Sequence, residues 1–195
     1  MSLFPPFTAI VDRATGDLDP REPLQVARVS DIGARWADQA AARRSIAAGD
    51  PVVYQMALAP VPQLPGHLRF AMVTVEPGDV GGECFMTKGH RHSNGHGEVY
   101  LGVAGVGVIL LTGEATSTVQ ELQPDRIVYV PPGWAHRSVN AGTEPFRFLT
   151  VYLADTAHDY EAVLERGMGM RVRRSASGPR LVMTAGSQSR ASGAD

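Results

Sequence analysis

Two histidines one residue apart, His90 and His92, are followed by Glu98 and, much further along the chain, by His136. This pattern reads as one metal centre assembled by two separate hairpins. Residues i and i+2 of a strand point to the same face, so His90 and His92 can chelate one ion without contorting the backbone. Glu98, beyond a turn that contains Gly95 and Gly97, can return from a neighbouring strand as an anionic third ligand. His136 follows Pro131-Pro132-Gly133 and enters from another strand. Three imidazoles and one carboxylate suit a borderline divalent metal (Fe, Mn, Ni or Zn), one per subunit, with open positions for water or substrate. A lone His-x-His on a strand is more often a surface or core pair; Glu98 and the distant His136 make this one a ligand set. Neutral imidazole must be the ligand, so metal loading should fall in acid.

The punctuation of the chain points to an all-β fold. Gly (21) and Pro (14) are plentiful and separate short β-branched segments. Strands are expected at 52–56, 68–75, 83–86, 98–103, 106–111, 118–122, 127–130, 136–140 and 146–153. Such spacing, with turn signals between, indicates a barrel or jelly roll. Ser30 or Asp31 caps a helix in which Ile32, Trp36 and Ala40 recur at four-residue spacing, ended by Gly49-Asp50-Pro51. A second, short helix runs from about Tyr160 to Arg166. The expected organisation is an N-terminal arm of extended segments over 1–28, one β domain over 29–172 and a disordered tail rich in Ser, Ala, Gly and Arg over 173–195.

Several function classes are excluded by composition. A formal charge of −2 leaves no footprint for nucleic acid or an anionic membrane. Apolar runs such as Val106 to Leu111 are too short to span a bilayer. The single cysteine, Cys84, excludes an internal disulfide framework and is read as a small buried side chain. No basic-then-apolar leader is visible, so a cytoplasmic location is expected. Exposed edge strands, which the N-terminal arm could supply, make a homodimer the expected state.

The two histidine segments resemble the paired motifs of the cupin superfamily. Pro131, Gly133, His136 and Asn140 match the second motif, although Asp125 stands where that motif usually carries glycine. The likeness extends to the cupin-type phosphoglucose isomerases. It is carried by Thr87-Lys88-Gly89-His90-Arg91-His92 with Glu98-Val99-Tyr100, by Val130 to Asn140, by Val151-Tyr152 with Ala157-His158-Asp159-Tyr160, and by Asp50 to Tyr54. It spans roughly residues 28–170 and implies that the 29–172 unit is a cupin jelly-roll domain. One departure stands out: five residues separate His92 from Glu98 where the family usually has six.

The resemblance implies a metal-dependent aldose–ketose isomerase acting on glucose 6-phosphate and fructose 6-phosphate. By that likeness Glu98 is the candidate base, with His158 and Tyr152 assisting ring opening or proton transfer. Thr74, Thr87, Gly89, Tyr152 and Tyr160 resemble the phosphate-contacting set, and Tyr54, Tyr100 and His158 the sugar-side lining. Gly89 fits physically, since a missing Cβ lets backbone approach an anion. Lys88, as neighbour to Thr87, should point to the other face. A carboxylate bound to metal is a poorer base, so an enediol route and a hydride shift with Glu98 as ligand only are both open. Two other readings use the same ligands: an Fe(II) cupin dioxygenase, and a non-catalytic sugar-phosphate-binding cupin.

Overall fold

The computed structural model describes residues 3–184, and strands dominate it. The chain opens with the hairpin β1 (Ile10–Asp12) and β2 (Asp17–Asp19), then β3 (Gln25–Arg28), α1 (Val29–Ile32), a 3-10 turn (Gly33–Arg35) and α2 (Gln39–Ala47). Next come β4 (Val52–Leu58), β5 (Leu68–Val75), β6 (Asp79–Val80), β7 (Glu83–Cys84) and β8 (Arg91–His92). The body is completed by β9 (Glu98–Ala104), β10 (Gly107–Thr112), β11 (Ser117–Leu122), β12 (Ile127–Val130), β13 (Ala135–Asn140) and β14 (Phe146–Leu153). β15 (His158–Asp159), α3 (Glu161–Arg166) and the hairpin β16 (Met170–Ser175) and β17 (Gly178–Met183) follow.

These strands form the two facing layers of a jelly roll. One layer is an antiparallel sheet in the order β12-β9-β14-β5-β4-β3; the other combines β11-β10-β13, β15-β8 and β17-β16-β7-β6. Single bridges at Met86–Val139 and His90–His136 tie the second layer together along β13. Alternation along β14 explains the core: Phe146, Phe148 and Thr150 are buried between the layers, and the intervening Arg147, Leu149 and Val151 take the opposite face. Phe146 and Phe148 pack there with Val73, Val75, Ile109 and Leu122. Each such side chain contributes about 1.5–3 kcal/mol of burial.

The predicted helix after residue 30 is broken. Trp36, only 2% exposed, turns into the core and donates its indole N–H to the Val29 carbonyl at 3.0 Å. The Ala37 N–H is drawn off to the Glu83 carboxylate at 2.8 Å, and Asp38 caps a new helix by accepting from the Ala41 N–H. Burying the indole and satisfying Glu83 override the four-residue periodicity.

The arm is less separate than its sequence implied. β3 pairs with β4 and belongs to the main sheet, and Leu18 is buried on the outer face with Ala57, Ala59 and Met72. The expected tail at 173–195 is corrected as well, because its start falls inside β16. Val172 is buried, Arg173 pairs with Glu83 of β7, and the Arg174 guanidinium donates to the Gly142 carbonyl at 2.9 Å. A strand rich in Arg is held by carbonyls and a carboxylate that the sequence does not reveal. Residues 185–195 of that expectation lie outside the described residues. Asp125 sits at φ 65°, so it adopts the left-handed conformation for which glycine is the usual choice.

Candidate metal centre

β8, β9 and β13, with the bridge residue His90 just before β8, deliver the four predicted ligands to one point. The donor atoms of His90, His92, Glu98 and His136 all lie within 4.8 Å of one another. His90 Nε2 and His92 Nε2 are 3.1 Å apart, and Glu98 Oε2 stands 2.9 Å from His136 Nε2 and 3.3 Å from His92 Nε2. Ligands about 2.1 Å from a shared ion sit about 3.0–3.4 Å from each other, so the cluster has the size a divalent metal requires. The tautomers agree with this. His92 Nδ1 lies 2.9 Å from the His96 carbonyl and His136 Nδ1 lies 3.1 Å from the Trp134 carbonyl. Each Nδ1 therefore carries the proton and each Nε2 presents a lone pair to the centre.

Glu98 is fixed from both sides. Its Oε1 accepts from the Thr150 hydroxyl, and its Oε2 faces the imidazoles. Burial works to raise its carboxyl, but the hydrogen-bonding His136, His90 and His92 outweigh it and hold Glu98 well below its ordinary value. Burial pushes His90 down to about 3 and lowers His158 too, so both rings are neutral at neutral pH. The short loop still delivers Glu98. Ser93 N–H donates to the Ala157 carbonyl at 3.0 Å. The Asn94 side chain donates to the Asp155 carbonyl and accepts from the Ala157 N–H. His96 stands 3.1 Å from the Thr156 hydroxyl and is not among the clustered donors.

Above the cluster opens a cavity of about 130 Å³. Tyr54, Thr87, Gly89, Tyr100, Tyr152, His158 and Tyr160 all line it, with His90 and Glu98 at its floor. The His158 ring lies 4.5 Å from that of His90 and 5.4 Å from that of Tyr152, and it makes no side-chain hydrogen bond among the described residues. Burial raises the four tyrosines, Tyr54 and Tyr152 to about 12, so the wall consists of neutral hydroxyls.

Thr74 is the exception. It lies on the far face of β5, where Gly16 of the β1–β2 turn packs so closely that a Cβ there would collide with the Thr74 hydroxyl. Strand parity gives the cavity to Val73 instead. Lys88 borders the same cavity, where its backbone meets the Tyr54 hydroxyl. Sequence reasoning missed Thr150 and Ser138. The signal for each was present: they sit two residues from Tyr152 and from His136 on the same strands, hence on the same faces.

Comparison with known proteins agrees with this geometry. A family model described as glucose-6-phosphate isomerase matches residues 27–187. A glucose-6-phosphate isomerase of Thermococcus litoralis is 42% identical over 164 residues, covering 83% of this chain and 86% of that protein. One from Pyrococcus furiosus is 41% identical over 164 residues, with the same coverage of 83% and 86%. Among solved structures, oxalate decarboxylase from Bacillus subtilis is similar at 24% identity with a TM-score of 0.44, covering 54% of this chain and 27% of that one. On the extent of the family match and the identity to these relatives, the chain belongs to the glucose-6-phosphate isomerase family.

Proposed function

We propose that this chain is a metal-dependent aldose–ketose isomerase that interconverts glucose 6-phosphate and fructose 6-phosphate. The observation that carries the reading is a four-donor ligand cluster at the floor of a cavity walled by neutral hydroxyls and a free backbone N–H. His90, His92, Glu98 and His136 would hold one divalent ion (Fe, Mn, Ni or Zn). When bound, that ion polarises the oxygens on C1 and C2 of the sugar and stabilises negative charge developing there.

The chain's own residues divide the remaining work. Gly89 is buried, and its N–H has no acceptor in the protein among the described residues, so it is available to a phosphoryl oxygen. The Thr87 hydroxyl accepts from the Ser138 N–H at 3.1 Å, which leaves its own proton free to donate to the same group. Tyr54, Tyr100, Tyr152 and Tyr160 offer O–H donors along the sugar. With both Glu98 oxygens engaged, that residue is a ligand, and proton handling falls to His158, which is neutral and whose ring makes no hydrogen bond among the described residues. A hydroxyl-lined wall supports a polar anionic substrate over dioxygen, the substrate of the Fe(II) dioxygenase alternative.

The same reading takes the protein as cytoplasmic and homodimeric. Supporting a dimer, edge strand β12 leaves Ile127 and Tyr129 exposed. No helix among the described residues is long and apolar enough to cross a membrane. The deciding experiment is a coupled isomerase assay on metal-stripped protein with Fe, Mn, Ni and Zn added back. Turnover of both hexose phosphates is expected. Metal uptake without turnover by any form would leave a sugar-phosphate binder instead.

A further inference from the structure

Behind the Thr87–Gly89 wall lies a group of arginines that the chemistry above does not use. Arg137 follows His136 on β13 and points to the opposite face, where it is only 3% exposed. Its Nη2 donates to the Lys88 carbonyl at 2.9 Å, and its Nε has no partner. Arg35 donates to the Tyr160 carbonyl at 3.3 Å, and its Nε is likewise unpaired. Both oxygens of the nearby Glu83 are taken, one by Arg171 and the other by the Ala37 N–H at 2.8 Å. Of these three guanidiniums only Arg171 contacts a carboxylate among the described residues, and a buried cation without a counter-charge is costly to keep.

We propose that Arg137 is a positioning residue for the anionic end of the substrate, acting through the Lys88–Gly89 peptide and, together with Arg35, through its field. The proposal rests on the isomerase reading for the identity of that anion as a phosphoryl group. The Lys88 carbonyl is turned toward Arg137, so the trans peptide directs the Gly89 N–H away from it, toward the cavity that Gly89 lines. A Cβ on Gly89 would lie 3.1 Å from the Arg137 Cβ and Nε, so the guanidinium stem packs directly against the back of this peptide. An anion accepted by the Gly89 N–H would stand on the order of 6–7 Å from the guanidinium. At that distance, in a half-buried setting, a full charge changes anion affinity on the order of tenfold to a hundredfold.

The test compares Arg137→Met, Arg137→Lys and Arg35→Met with the wild type, each with metal content measured. Two readouts are used: KM and kcat for fructose 6-phosphate, and the affinity for inorganic phosphate by phosphorus NMR titration of the zinc-loaded protein. R137M is expected to raise KM and weaken phosphate binding about tenfold or more, with kcat per metal within about threefold. R137K, which keeps the charge but not the planar fork, should fall between, and R35M should weaken phosphate binding about threefold. Unchanged phosphate affinity in R137M, or a loss of kcat in step with lost metal at unchanged KM, overturns the proposal. If R137M does not fold, R35M decides by the same criterion. Phosphate titration requires no turnover, so a wild type that binds phosphate without isomerising would sink the isomerase reading and leave Arg137 testable.

Discussion

Thr150→Val removes one oxygen from the site, a hydroxyl that meets both the Glu98 carboxylate and the Tyr100 hydroxyl. Valine keeps the volume and the β-branched shape that suit the interior of β14, so the sheet should be unmoved. What disappears is the hydroxyl that donates to Glu98 Oε1, a buried hydrogen bond to a charged group. Such bonds contribute about 1.5–3 kcal/mol, a factor of roughly 10–150 in an equilibrium constant at about 1.4 kcal/mol per tenfold. The loss should appear in metal affinity, because the freed carboxylate can rotate its Oε2 out of the cluster. Partners of this outer kind typically cost about 10–100-fold when removed, which agrees with that range. The assay is competition against a chelator at fixed pH, with Zn and then Mn, alongside denaturation of the metal-free protein. Weakening of about tenfold or more, with kcat per bound metal nearly retained, is expected. A folded T150V that binds both metals within threefold of the wild type would show that Thr150 does not orient Glu98.

Other outcomes follow from the same geometry. His136→Ala should lower metal occupancy and activity together, and a metal-replete, fully active variant would remove His136 from the ligand set. His158→Gln should reduce kcat by about 100-fold or more while metal content holds; because burial lowers His158 from 6.5, the fall in wild-type kcat on acidification should lie below pH 6.5. Thr74→Val should leave KM within twofold, since Thr74 faces the N-terminal hairpin, and a large rise in KM would reverse that placement. Ending the chain after residue 172 removes β17 and its pairing with β16, together with the bonds from Arg173 to Gly81 and from Arg174 to Gly82 and Gly142. At about 1 kcal/mol each, these last bonds alone make a loss of about 3 kcal/mol or more measurable by urea unfolding.

The metal ligands were legible because chelation ties residue type to strand parity: His90 and His92 had to share a face, and Glu98 and His136 had to reach it. β5, β12 and β14 could be delimited for a related reason, since turn residues bound each one. Thr74 entered through the family resemblance, and a match wrong by one residue moves a side chain to the other face of the sheet. The helix break at Trp36 and the ordered β16 depend on Glu83, a partner more than forty residues from either segment, and local pattern carries no trace of it. Nothing in the matched segment Val130 to Asn140 shows that the Arg137 guanidinium is buried against the Lys88 carbonyl.

The loop that joins His92 to Glu98 is fastened to Asp155 and Ala157, directly before His158, whereas Glu98 itself is held by register, opposite Tyr152 of β14. Inserting or deleting a residue in that loop would therefore strain the segment carrying the proton handler, and the His96 carbonyl that holds His92 Nδ1, before it disturbed Glu98. Loop length is in this sense a tuning screw for His158 and the His92 imidazole, largely uncoupled from the placing of the carboxylate. Relatives with loops of different length would keep that carboxylate in register and still differ in how fast they turn a sugar over.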